Sequence, residues 1–349
     1  MEFKYQLTSV FLNTISEFYR LHGALYAMGD SLPWKRQLEQ IVGDRAALAA
    51  VSLDSPHEVD GLIQDRRFVE VPSELKNDFV NYRQTKGRLG EFFAAGRKLD
   101  LTVFDQIHQS ILNEYYQPNM PFYRTEEKIL PKVVFENGIY QKVDIAIKTT
   151  PSLIVNQLND LNEWIAENYR ILNPVLVAAV VYFRLAKIHP YTDGNGRTAK
   201  VFVHGVLYQN QIDTNNIVVM EEFYLKNRSR YYDIVGEAIE TEDLTTWLEF
   251  FANGLLYGAM ESVKILQKLS GGGIDLATGK FSTLTDNQMQ IISALQGVGR
   301  TSGAEIGRRL GLSRQYVNNL MNELIDMGLI EKTGTRRSAT YGLVHGFRD

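Results

Sequence analysis

The stretch His189-Pro190-Tyr191-Thr192-Asp193-Gly194-Asn195-Gly196-Arg197-Thr198-Ala199-Lys200 decides how this chain is read. It lies between two helical patterns, the apolar run 174–188 and the run 198–209, so it is a loop that feeds a helix start. Gly194 and Gly196 let the backbone turn tightly and come close to a ligand. The following helix is predicted to begin at about Arg197 or Thr198, with its free N–H groups aimed back into the loop as an anion cradle. Arg197 adds a planar, permanent cation that suits phosphate oxygens. Asp193 offers a hard oxygen to Mg2+, an ion that normally arrives with phosphates. His189, four residues earlier, is placed to take the proton of an incoming hydroxyl. Cradle, metal ligand, counter-charge and base are what phosphoryl-type transfer requires. A Walker-type loop is excluded, because no Gly-Lys-Ser/Thr follows the glycines.

Outward from this loop the patterning is mainly helical, over 18–28, 34–51, 75–95, 101–115, 152–168, 174–188, 198–209, 226–239 and 245–269. One segment differs. In Lys132–Ile147 two β-rich runs flank Glu136-Asn137-Gly138, and Asn-Gly is a strong hairpin signal, so a lone hairpin projects from a helical body. Ser270-Gly271-Gly272-Gly273 opens a linker. Beyond it, three helical patterns (285–295, 302–310, 314–327) and a β-rich end (329–343) have the order of a winged helix-turn-helix, with Ser313 capping the recognition helix. Val317, Leu320, Met321, Leu324 and Ile325 form that helix's apolar stripe. Arg314, Gln315, Asn318 and Asn319 fall on its other face, with types that read bases or phosphates, and Arg336 and Arg337 sit at the wing tip. The expected division is a helical region 1–74, a core domain 75–269, a linker 270–283 and the winged helix 284–349.

Composition narrows the alternatives. Net charge is −4, so nothing global marks a nucleic-acid or membrane protein; yet from Leu284 onward eight Lys/Arg face six Asp/Glu, the sign that suits a small DNA-contacting tail on an acidic body. A protein-interaction role for the same block is the competing reading. There are no cysteines, which removes disulfides, thiolate zinc sites and a Cys nucleophile and fits a cytoplasmic location. The longest apolar stretch, 172–188, contains Arg184 and Lys187 and is too short to span a bilayer, so no membrane partner is expected. The opening MEFKYQLTSV lacks the pattern of a signal peptide.

The 189–200 string resembles the signature of the Fic family, roughly HPFxDGNGRxxR. It agrees at His189, Pro190, Asp193, Gly194, Asn195, Gly196 and Arg197, with Tyr191 for the usual Phe and Lys200 for the final Arg. Phe122-Tyr123-Arg124-Thr125 is similar to the family's YR element, the hairpin falls where its flap belongs, and 224–232 and 246–251 resemble later stretches, so roughly 75–255 is covered. The resemblance implies a mainly α Fic-type helical bundle with a β-hairpin flap, followed here by a small winged helix domain. It implies AMP transfer from Mg-ATP to a Tyr, Thr or Ser hydroxyl of a target protein or of the chain itself. His189 would be the base, Asp193 the metal ligand, and Gly194, Asn195, Gly196, Arg197 and Lys200 the nucleotide contacts. The flap, through Val133, Val134, Phe135, Val143 and Ile145, would clamp a target that presents its hydroxyl on an extended segment. Lys200 supplies charge but not the two-pronged fork of Arg.

Members of the family often carry an inhibitory helix ending in Glu-Gly, whose Glu pairs with the second motif Arg. The candidates here are Glu58 and Asp60, in Pro56-His57-Glu58-Val59-Asp60-Gly61. The alternative function is a transcription regulator that senses a nucleotide through its core and binds DNA through its winged helix, which commonly works as a homodimer.

Overall fold

The structure is a computed structural model and describes residues 4–28, 35–54, 71–93, 100–113, 122–136, 139–213, 215–269, 274–275, 280–281, 285–326, 329–334 and 339–343, with backbone alone for 27–28, 130–136, 139–146, 274–275, 280–281 and 296. Two compact units divide it: Met1–Arg20 with Val42–Ala259, and Leu21–Ile41 with Met260–Asp349. In chain order the helices are α1 (Ser9–Met28), α2 (Lys35–Asp54), α3 (Lys76–Gly87), α4 (Leu89–Phe92) and α5 (Leu101–Leu112). The hairpin β1 (Ile129–Glu136) and β2 (Ile139–Ala146) follows, then α6 (Ile154–Asn168), α7 (Pro174–Ile188), α8 (Asn195–Gln209), α9 (Met220–Lys226), α10 (Arg228–Thr241) and α11 (Thr245–Leu269). A short ribbon β3 (Ile274–Asp275) and β4 (Lys280–Phe281) precedes α12 (Asp286–Val298), α13 (Gly303–Leu310), α14 (Arg314–Asp326), β5 (Ile330–Thr333) and β6 (Thr340–Leu343).

In the first unit the core is built around α7 and α8. From Val175 to Phe183 every residue of α7 is buried, which is why this helix is apolar on all sides. Its start is fixed by Asn173, whose side chain accepts from the Val175 N–H, with Pro174 at the first position. Trp247 of α11 donates its indole N–H to Ala179 of α7 at 2.8 Å and stacks on Tyr182 at 5.2 Å between ring centroids. Helix α8 packs on α7, α5, α4 and α3. Behind it, the buried Glu221 carboxylate accepts from Tyr82 at 2.7 Å, lies 2.9 Å from His204 Nε2 and pairs with Lys86 at 3.5 Å. A buried carboxylate persists only with such partners. The Leu53 carbonyl at the end of α2 accepts from Tyr232 of α10 at 3.0 Å, which fixes where Asp54 sits.

The hairpin pairs in register from Ile129↔Ala146 to Glu136↔Ile139, and among the described residues no third strand joins it. In the second unit, α12 begins with a reciprocal Thr285–Gln288 capping box, Ser302 caps α13, and Ser313 accepts from the Tyr316 N–H at 3.3 Å as α14 starts. Strands β5 and β6 pair antiparallel, and Thr301 bridges Tyr341. Val317, Leu320, Met321 and Leu324 are buried, whereas Ile325 is half-buried.

Some elements differ from the sequence reading. Helix α8 starts at Asn195 rather than at Arg197 or Thr198, because Gly194 takes a left-handed conformation (φ 73°, ψ 5°) and itself becomes the N-cap. The 75–95 pattern breaks at Arg88, and α9 is an additional helix.

Candidate active site

His189 closes α7. It occupies left-handed backbone (φ 48°, ψ 60°), and its N–H donates to the Leu185 carbonyl at 2.9 Å. The turn it makes aims the 189–194 loop back toward α8. Burial of its ring, then the charges of Lys128 and Arg124, push the imidazole down to about 3, while a hydrogen bond to the Ala186 backbone and Asp193 act in the opposite direction. The ring is therefore neutral near pH 7, with one nitrogen serving the backbone and the other able to accept a proton.

The loop is stapled at both ends of one side chain. Asn195 accepts from the Tyr191 N–H at 2.8 Å and donates to the Tyr191 carbonyl at 2.7 Å, so this residue fixes the loop's shape with its own amide. Tyr191 is buried; its hydroxyl donates to Asp105, which also accepts from Tyr123 at 3.1 Å. The His108 ring lies parallel on Tyr191, with centroids 3.4 Å apart, and its Nδ1 is 3.1 Å from the Thr198 hydroxyl. Burial pushes His108 down to about 4. A Cβ on Gly194 would meet Leu112, His108 and Ile111 at 3.4–3.5 Å, so the turn is packed from beneath.

Because α8 begins at Asn195, the N–H groups of Asn195, Gly196 and Arg197 have no acceptor within their own helix. An anion is already lodged there. A Cβ on Gly196 would sit 2.8 and 2.9 Å from the two carboxylate oxygens of Asp54. Asp54 is also 3.3 Å from Lys200 Nζ and 4.0 Å from Arg197 Nε. Arg197 pairs further with Asp78, and with Asp193 at 2.9 Å. The Lys200 side chain is fully buried and that of Arg197 only 5% exposed, whereas Asp193 is 75% exposed and open to a metal. Burial works against the charge on Arg197, but Asp193, Asp54 and Asp78 outweigh it and raise its pKa. Two buried cations and the free N–H groups of a helix start face one carboxylate here, a donor set that suits anionic oxygens such as those of a phosphate.

Of the residues singled out in the sequence, His189, Asp193, Gly194, Asn195, Gly196, Arg197 and Lys200 come together at this helix start. Val133, Val134, Phe135, Val143 and Ile145 lie on the paired strands, with side chains outside the described residues. Glu58, Asp60, Arg336 and Arg337 also lie outside the described residues. Arg314, Gln315, Asn318 and Asn319 are all exposed on α14. Nothing in the sequence marks Asp54, Asp78 or His108 for the site, and Arg124 stands out there only as part of the YR element. The helical pattern in the sequence ends at Val51, three residues short of Asp54, and the partners of the others lie far away in the chain.

Residues 98–207 match the Fic/DOC family, and residues 282–339 match the MarR family. A protein adenylyltransferase Fic of Nematostella vectensis is 29% identical over 122 residues, which is 34% of this chain and 27% of that protein. Protein adenylyltransferase fic-1 of Caenorhabditis elegans is 31% identical over 62 residues, or 18% and 12% of the two chains. The matched stretches thus span about a quarter or less of these two relatives, and 36% of the Fic protein of Aedes aegypti. Among solved structures, a Fic family protein from Desulfovibrio desulfuricans aligns with a TM-score of 0.57 at 18% identity, covering 99% of this chain and 98% of the other. Fic-1 of C. elegans aligns at 0.52 and 15% identity over 72% and 71%. At these identities the structures share a fold with this chain.

Proposed function

We propose that this chain, which joins a Fic/DOC-family domain to a MarR-family winged helix, moves AMP from Mg-ATP onto a hydroxyl of a protein. The observation that carries the reading is the Asp54 carboxylate against Gly196, Arg197 and Lys200, which marks the α8 N-terminus as an anion site within the loop that His189 opens. Gly194, Gly196, Arg197 and Lys200 would hold phosphates, and Asn195 keeps the loop in shape for them. Asp193 would hold the magnesium, which supplies charge neutralisation when bound. His189 takes the proton of the target hydroxyl; the hydroxyl oxygen bonds to the α-phosphorus, the bond from that phosphorus to the β-phosphate bridge breaks, and pyrophosphate leaves. The open edge of the β1–β2 hairpin suits a target segment that adds to it as a strand.

On this reading Asp54, held against Gly196 and Lys200, competes with the phosphates for the same cations and N–H groups. The chain thus restrains itself through the last residue of α2, with Asp78 a second acidic partner of Arg197. The MarR-family match and the exposed Arg314, Gln315, Asn318 and Asn319 favour a second role, DNA binding by α14, with two copies acting on paired half-sites. A cytoplasmic location accords with the absence of cysteine, and among the described residues no helix is long and apolar enough to cross a membrane. Incubation of the Asp54→Asn chain with labelled ATP and Mg2+, with and without His189→Ala, tests the transfer: label that depends on His189 supports it, and its absence refutes it.

A further inference from the structure

The last turn of α7 and both roots of the hairpin converge on one side chain. Arg124, only 4% exposed, donates from Nε to the His189 carbonyl at 2.8 Å and from Nη2 toward the Ile188 carbonyl at 3.4 Å. The same guanidinium donates to the Glu126 carbonyl at 2.7 Å, just before β1, and to the Thr149 carbonyl, just after β2. Its backbone N–H takes the Pro190 carbonyl at 2.8 Å. The Thr149 hydroxyl, shared with Gln157, lies 3.2 Å from the Lys187 carbonyl. Four successive carbonyls, 187 to 190, are thus satisfied from the hairpin's roots, and the Ile147 N–H to Lys128 carbonyl bond at 3.0 Å joins those roots.

Helix ends leave carbonyls without partners, and a cation there also meets the negative end of the helix dipole. A left-handed backbone is unfavourable for a residue with a Cβ and persists only where its surroundings hold it. We infer that Arg124 is a positioning residue: it locks His189 in its left-handed turn and ties that turn to both roots of the hairpin, so base and target clamp share one anchor. The inference rests on the reading of His189 as the base. A lysine keeps the charge but cannot span carbonyls with the planar fork. The phosphate contacts on α8 do not involve Arg124, so its loss bears on turnover and not on ATP binding.

The test uses the full chain carrying Asp54→Asn, with and without Arg124→Lys, and has two readouts. In transfer from labelled ATP, kcat falls on the order of 100-fold while KM for ATP moves by less than about threefold. In thermal unfolding, Arg124→Lys lowers Tm by roughly 4 °C or more, and by less than half as much in a His189→Gly background, where the left-handed turn no longer needs holding. Equal Tm losses in the two backgrounds, an unchanged kcat, or a KM that rises as kcat falls would each overturn the inference. If the Asp54→Asn chain with Arg124 intact transfers no label, the base reading fails, and the Tm comparison alone still decides what Arg124 does. If Arg124→Lys does not fold, recovery of folding by added His189→Gly supports the inference, and no recovery overturns it.

Discussion

Lys200 Nζ lies 3.3 Å from Asp54 Oδ1 with the lysine side chain fully buried, so the second cation of the loop already has an anionic partner supplied by α2. On the proposed function, a nucleotide must compete with that carboxylate. Asp54→Asn removes the competing charge and keeps the shape, so affinity for Mg-ATP should rise by about 5- to 150-fold, the usual range of coupling between sites. Calorimetric titration of ATP into the two proteins measures it. Unchanged or weaker binding by Asp54→Asn means that the carboxylate supports the site instead of blocking it.

How far the sequence carried depends on how local each cause is. Helix α7 was read to the residue because Asn173-Pro174 caps it and apolar side chains fill it. The sequence pattern starts helix α8 too late, because a glycine acting as a left-handed N-cap looks in sequence like two more loop residues. Asp54 and Lys200 are 146 residues apart, and Arg124 and His189 are 65 apart; periodicity holds no information about such pairs. Helix α9 is seven residues long, with the buried Glu221 and Glu222 inside it, which hides its apolar face from any pattern.

Gly205 lies in the middle of α8, where helix propensity favours alanine. A Cβ there would come 1.9–2.4 Å from the Phe93 ring, which is itself packed on Phe202. Propensity offers at most about 1 kcal/mol, while overpacking a core costs about 1–3 kcal/mol. Gly205→Ala should therefore lower Tm by several degrees in a calorimetric scan; a higher Tm would mean the ring moves aside freely.

His108 is held neutral in the fold, its pKa pushed from 6.5 to about 4, chiefly by burial. The unfolded chain takes up that proton near pH 6.5, so the stability His108 contributes is complete above that pH and drains away as pH falls toward 4. The loss amounts to about 3 kcal/mol over that window. His108→Asn should show a smaller loss, read from urea midpoints at pH 7.5 and 4.5. Parallel losses in both proteins would contradict this.

In α14 the buried Val317, Leu320 and Met321 leave Arg314, Asn318 and Asn319 facing outward. A random duplex pool enriched on the full chain should yield a bound sequence. Arg314→Ala should then weaken binding, with the slope of log affinity against log salt reduced by about 1. Equal binding by both proteins would remove α14 from the interface.

The proposed function requires the 189–200 loop to transfer AMP, with His189 as the base. Its most direct test is incorporation of label from α-phosphate-labelled ATP, with Mg2+, into protein, using Asp54→Asn with and without His189→Ala. Label should appear on a hydroxyl side chain with His189 present and fall by at least about 100-fold without it. Equal labelling by the two proteins, or none by either, would contradict it.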